Sequence, residues 1–405
     1  MQFRMPGKVR LAVMAGAAAV LAVILLLYRP DPFQAQAVRN PPFTPLTYGI
    51  QTFLWWDESY AAYSLDWTRL MVFSHVKQIF AWEDIEPRRG EFDFSRADGI
   101  VNEVEAKGLE LVIRLTDAPD WSHPSVTCTL PECHDAPPDD YADYGRYCAA
   151  IAERYRGRIA AYQVWNEPNL AREWGSREPN PAAYVGLLKA CYEAIKAVDP
   201  AAIVISAGLA PTGNWDATAW ADDIFVRQMY DSGVQRYMDV LGVNAPGYNL
   251  APEVSPDEAQ AQGFNRFGTF RRVEDIRRIM VERGDAARQM AILEMGWTTD
   301  QLNPNYSWFA VTPEVQADYF VRAYQYAAEN WRPWMGLMSA IYIPDPAWTE
   351  ANEEYWWAIT LGNNGMGESF VALANMQKVC GERVIPARDP GSPEALGLAT
   401  VVPCT

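Results

Sequence analysis

A (β/α)8 barrel behind an N-terminal membrane anchor or signal segment is the architecture the sequence predicts, and three observations predict it. Apolar runs of strand length alternate with amphipathic stretches of helical period, as repeated β–α units require. Eight such runs can be counted, enough to close a parallel barrel. No glycine-rich phosphate loop follows the first run, which argues against an open, doubly wound sheet.

In chain order, Arg4, Lys8 and Arg10 precede an uncharged stretch from Leu11 to Tyr28. A basic flank before an apolar run reads as a signal anchor or a signal peptide over residues 1–28. The stretch exceeds the roughly 7–15 residues of a signal-peptide core and approaches the roughly 20 of a membrane span. Length therefore favours an anchor, while Ala35-Gln36-Ala37 fits a small-residue cleavage site. Residues 29–45 carry Pro30, Pro32, Pro41, Pro42 and Pro45 and read as an extended spacer. The barrel is expected over 46–379 and a tail over 380–405.

The strand candidates are Gly49–Leu54, Val76–Ala81, Leu109–Leu115, Ala160–Trp165, Ile203–Ala207, Val240–Val243, Met290–Leu293 and Leu337–Ile343. Helical period appears between them over Tyr141–Tyr155, Pro181–Val198 and Val273–Arg283. Asp199-Pro200 stops the second of these, because proline cannot continue a helix.

Without residues 1–37 the chain holds 30 basic and 50 acidic residues, a net charge of −20. That balance argues against nucleic acid or anionic lipid as a partner, and leaves membrane contact to the N-terminal segment alone. Six cysteines in an exported chain suggest disulfides, with nearest-neighbour pairing of Cys128 with Cys133, Cys148 with Cys191 and Cys380 with Cys404 favoured among the alternatives. The three histidines, His75, His123 and His134, show no metal-ligand spacing, and neither metal nor cofactor is expected. Sixteen Trp and twenty Tyr exceed what a core needs; aromatic faces stack on the C–H faces of sugars, although most such rings pack inside.

Two carboxylates carry the chemistry. Glu167 lies in Trp165-Asn166-Glu167-Pro168-Asn169, at the end of the fourth strand candidate, where proline halts the strand. Glu294 ends the seventh, in Met290-Ala291-Ile292-Leu293-Glu294-Met295-Gly296. Parallel barrels build active sites at the C-terminal ends of their strands, and hydrolysis of a glycosidic bond needs two carboxyl groups there.

With these segments, Trp82-Glu83-Asp84-Ile85-Glu86-Pro87-Arg88-Arg89-Gly90-Glu91-Phe92-Asp93-Phe94 makes the chain resemble the clan A glycoside hydrolases, the 4/7 superfamily. It is most similar to glycoside hydrolase family 39 and related exported polysaccharide hydrolases. The resemblance implies that Glu167 is the acid/base and Glu294 the nucleophile of a retaining mechanism. It implies that Asn166 hydrogen-bonds a sugar 2-hydroxyl, that Tyr248 hydrogen-bonds the nucleophile, and that Lys77 replaces an arginine five residues before Trp82. Family 39 relatives carry a histidine near Asn244, which this chain lacks. Trp121 and Trp348 are candidate stacking platforms, whereas Trp82 reads as structural and Glu83, Glu86 and Glu91 as solvated charges of a turn.

The expected function is thus a glycosidase that cleaves an extracellular poly- or oligosaccharide. It would act at the outer face of the cell membrane, or secreted if cleaved near Ala37. The alternatives are an inactive carbohydrate-binding protein on the same barrel, or a transglycosylase.

Overall fold

The computed structural model describes residues 38–56, 58–126, 135–360 and 365–388. Eight parallel strands close a barrel in sequence order: β1 (Thr47–Gln51), β2 (His75–Ala81), β3 (Glu110–Thr116), β4 (Ala161–Val164), β5 (Val204–Ser206), β6 (Val240–Pro246), β7 (Gln289–Gly296) and β8 (Met335–Ala340). All eight sequence candidates become strands, and β1 pairs with β8 to complete the ring. The three expected helices span Tyr141–Arg154, Pro181–Val198 and Arg272–Glu282.

Alternation along each strand divides the apolar residues in two. Val112, Ala161, Ile205, Val240, Ala291, Leu293 and Leu337 fill the barrel interior, while Ile113, Tyr162, Val164, Leu241 and Ile292 face the helix layer. The interior is closed from below by Phe43, a residue of the expected spacer. The Gln289 side chain accepts from the Phe43 backbone N–H (2.9 Å) and donates to its carbonyl (3.0 Å), so Phe43 packs with the barrel. At the same end of the barrel, a hairpin of Lys378–Cys380 and Arg383–Ile385 follows later in the chain. It ties to β1 through the Val379 N–H and the Tyr48 hydroxyl.

Tyrosines from the helices reach backbone carbonyls near the strand ends. Tyr147 donates to Phe80 O, Tyr144 to Leu115 O and Tyr184 to Val164 O. These phenols bond buried acceptors and tie the C-terminal ends of β2, β3 and β4 to the helix layer. Cys148 and Cys191 form a disulfide between the helices that follow β3 and β4. Cys380 is also disulfide-bonded, but Cys404, like Cys128 and Cys133, lies outside the described residues.

Glu86 differs from its expectation. It is buried, accepts from Trp82 Nε1 (2.7 Å) and from Gly90 N (2.7 Å), and so holds the turn together rather than lying in solvent. Trp82 is fully buried and stacks on Tyr147. The anchor or signal segment lies outside the described residues. Among those that are described, no helix is long and apolar enough to cross a membrane, and no acidic, histidine or cysteine group could hold a metal ion.

Candidate active site

The strand ends surround a cavity of about 460 Å³ whose wall includes Arg114, Asn166, Glu167, Asn244 and Glu294. Each reaches it by a local departure from regular structure or by strand alternation. After β4, Trp165 (φ 68°) and Glu167 (φ 34°) adopt left-handed backbone, which costs on the order of 1–3 kcal/mol per non-glycine residue. The Trp165 ring thereby packs outward while Asn166 and Glu167 turn to the cavity. The Glu167 N–H donates to Gly208 O (3.1 Å), and Asn169 bonds Ala210 and Trp220 to brace the next loop.

Glu294 depends on a bulge. Val243 stands opposite Ile292, but its neighbour Asn244 stands opposite Glu294, so Leu293 is an extra residue in β7. Strict alternation would turn Glu294 toward the helices, because Leu293 already faces the interior. The bulge lets consecutive residues both face inward, a common use of bulges beside active sites.

Asn244 Nδ2 donates to Glu167 Oε1 (2.7 Å) and lies 3.4 Å from Glu294 Oε2. Those two oxygens can be no further apart than the sum, about 6 Å. Glu294 Oε1 accepts from Lys77 Nζ (2.9 Å) and Arg114 (3.3 Å). Lys77 is further held by Gln51 Oε1 (2.6 Å) and Leu293 O (3.2 Å). Arg172 Nη2 lies 3.6 Å from Glu167 Oε2, on the solvent side.

These surroundings drive the carboxyls apart. Burial first, then the Glu294 charge, push Glu167 up to about 7, against weaker pulls from Arg172 and Asn244. Burial would also raise Glu294, but Lys77 and Arg114 together outweigh it and hold that carboxyl below its ordinary value. Burial lowers Lys77 to about 8 despite Glu294, leaving it mostly charged at neutral pH. One carboxyl can therefore carry a proton at neutral pH while its neighbour is ionised, the division of labour that acid-assisted nucleophilic attack requires.

Of the sequence candidates, Glu167, Glu294, Asn166, Asn244 and Trp348 line the cavity, and Lys77 lies beneath Glu294. Trp348 packs edge-on against Phe53, another wall residue. Two candidates lie elsewhere. The Tyr248 hydroxyl donates to Pro211 O (3.0 Å) rather than to Glu294, and its ring packs against Phe309. Trp121 donates to Glu86 O (3.0 Å) and sits between Trp82 and Arg89, so it packs on the rim. Arg114, Arg172, Glu173 and Tyr342 are wall residues that sequence reasoning missed. Arg114 had left a signal, a lone charge within an apolar strand and in step with inward-facing Val112. Arg172 and Glu173 lie in a short 3-10 turn without periodicity, and left none.

The family model described as glycosyl hydrolase family 42, beta-galactosidase, matches residues 53–133. A search of curated proteins finds no match. Among solved structures, the chain is similar to a family 39 glycoside hydrolase from the gut symbiont Bacteroides cellulosilyticus WH2 at 18% identity and a TM-score of 0.56, covering 83% of this chain and 64% of that one. It is similar to an exo-beta-1,4-mannosidase from Opitutaceae bacterium strain TAV5 at 16% identity and a TM-score of 0.57, with 84% and 61% covered. Xylanase 10B from Thermotoga maritima shares 16% identity and a TM-score of 0.53, with 81% and 93% covered. The chain thus spans less than two thirds of the first two, and at these identities the likeness concerns the barrel. The family match over residues 53–133 supports a glycoside hydrolase, and the solved neighbours share its barrel.

Proposed function

We propose that the chain is a retaining glycosidase that hydrolyses a poly- or oligosaccharide by double displacement. The observation that carries this reading is the single Asn244 amide within reach of both carboxyls. Their bridged oxygens, at most about 6 Å apart, suit the roughly 5–5.5 Å of retaining enzymes better than the roughly 6.5–9.5 Å that admits a water for inversion. Glu167 gives its proton to the leaving oxygen while Glu294 attacks the anomeric carbon, forming a glycosyl ester. The same Glu167, now ionised, takes a proton from the water that hydrolyses the ester.

The relatives are named for beta-galactosidase, mannosidase and xylanase activities, so the proposal concerns the reaction class. Export and membrane attachment belong to the proposal as well, and rest on the basic-then-apolar N-terminal sequence. The decisive experiment incubates the protein with a panel of activated 2-deoxy-2-fluoro glycosides and maps the adduct by peptide mass spectrometry. Label on Glu294 is expected. Label on another residue overturns the assignment, and an inverted anomer in the product, followed by NMR, overturns retention.

A further inference from the structure

Glu173 stands six residues beyond Glu167, in the turn Arg172–Trp174, with its carboxylate in the cavity wall. Two features hold it there. Its backbone carbonyl accepts from Trp165 Nε1 (2.8 Å), and its Oε2 accepts from Asn166 Nδ2 (3.1 Å). Its Oε1 lies 3.6 Å from Arg172 Nε, and the same guanidinium reaches Glu167. Asn166 Oδ1 is buried and has no hydrogen-bond partner among the described residues.

An amide has one donating and one accepting end. An ionised carboxylate only accepts, so while Glu173 is charged it takes the Asn166 N–H and leaves the Asn166 oxygen free. A protonated Glu173 can donate instead, which allows the amide to turn and offer its N–H to the cavity. The charge on Glu173 therefore selects which end of the Asn166 amide is taken by Glu173 and which is left for another partner. The same negative charge also disfavours a second one on Glu167.

We propose that Glu173 is a positioning residue that acts through two partners, fixing the orientation of the Asn166 amide by holding its N–H and helping to keep the proton on Glu167. The catalytic meaning of this device rests on the glycosidase reading. The groups facing Glu167 are Glu294 from β7, Asn244 from β6, Lys77 from β2, Arg172 and Glu173 from the turn after β4, Tyr248 after β6 and Tyr342 after β8. Those facing Glu173 are Asp135, Arg114, Arg172, Asn166 and Glu167. Burial, then Asp135, push the Glu173 carboxyl up to about 7 against the pull of Arg114 and Arg172. It titrates in the same range as Glu167, and ionising either holds the proton on the other.

The test needs no substrate. Glutamate carboxyl carbons labelled with carbon-13 are titrated by NMR in the full chain, in Glu173→Gln and in Glu173→Asp, with the Glu167 signal assigned by its loss in Glu167→Gln. Glu173→Gln keeps shape and removes charge; Glu173→Asp keeps charge and alters shape. The Glu167 midpoint is expected to fall by about half a pH unit or more in the Gln variant and to stay near wild type in the Asp variant. The Asn166 side-chain amide signal should follow pH in wild type and lose that dependence in Glu173→Gln. An unchanged Glu167 midpoint in Glu173→Gln, or equal changes in both variants, overturns the proposal. The trapping experiment tests the glycosidase reading separately, so either can fail without the other.

Discussion

Asn244 joins two cavity carboxyls through one nitrogen, 2.7 Å from Glu167 and 3.4 Å from Glu294. It meets Glu294 because β7 bulges at Leu293, and it has room because Gly208, in the loop after the preceding strand β5, carries no side chain. A Cβ built on Gly208 would lie 2.1 Å from Asn244 Oδ1. Asn244→Ala should lower kcat/KM by about 10²-fold, the usual cost of losing one preorganised donor. Gly208→Ala should reproduce much of that loss by displacing the amide, while Asn244 itself is kept. Steady-state kinetics of both variants check the prediction; wild-type rates in Gly208→Ala would show that the amide's position is unimportant.

The raised carboxyl of Glu167 makes a prediction about stability as well as rate. Its folded value, about 7, lies above its ordinary 4.5. Such a group supports the fold while protonated, and that support is lost as pH rises from the ordinary value through the folded one. Glu167→Gln removes the titration and keeps an oxygen for Asn244. The variant should therefore be more stable than wild type at pH 8, by about 3 kcal/mol, with the difference vanishing below pH 4.5. Denaturant melts at the two pH values measure it, and equal stability at pH 8 would contradict a buried charge there. Turnover in the variant should fall steeply with substrates whose leaving group needs protonation.

Activity should follow the same two groups. Glu294 must be ionised and Glu167 protonated, so kcat/KM should fall above about pH 7, and again in acid at a midpoint below the ordinary carboxylate value. Lys77 is the first cation that holds Glu294 down. Lys77→Gln should move the acid limb of the profile upward while Arg114 preserves partial activity. An acid limb unmoved in Lys77→Gln would assign the control of Glu294 to Arg114 alone.

The barrel could be read from the sequence because its periodicity is a direct consequence of burial, with apolar strands inside two layers and half-buried helices outside. The ends of the strands were less legible. β6 and β7 run on to Pro246 and Gly296, beyond the apolar runs, because polar Asn244 and Glu294 still pair across the bulge. Glu167 and Glu294 were visible as carboxylates that interrupt apolar segments. Arg114 interrupts one equally, and a face-by-face reading of its strand would have placed it in the cavity. The positions of Tyr248 and Trp121 were not legible, since a ring on a loop is directed by partners distant in sequence: Pro211 and Phe309 for one, Glu86 and Arg89 for the other.

The Cys148–Cys191 bridge links the helices that follow β3 and β4, and so lies behind the strand that presents Glu167. Both half-cystines are fully buried, so alanine fits the apolar surroundings better than serine. Cys148→Ala with Cys191→Ala should lower stability by about 2–4 kcal/mol, mainly by freeing the unfolded chain. The hydroxyls of Tyr144 and Tyr184 still pin the ends of β3 and β4 without the bridge, so activity per folded molecule should stay near wild type. Thermal melts with parallel activity assays separate the two effects. A loss of activity at temperatures where the double variant is fully folded would mean that the bridge itself sets the position of Glu167.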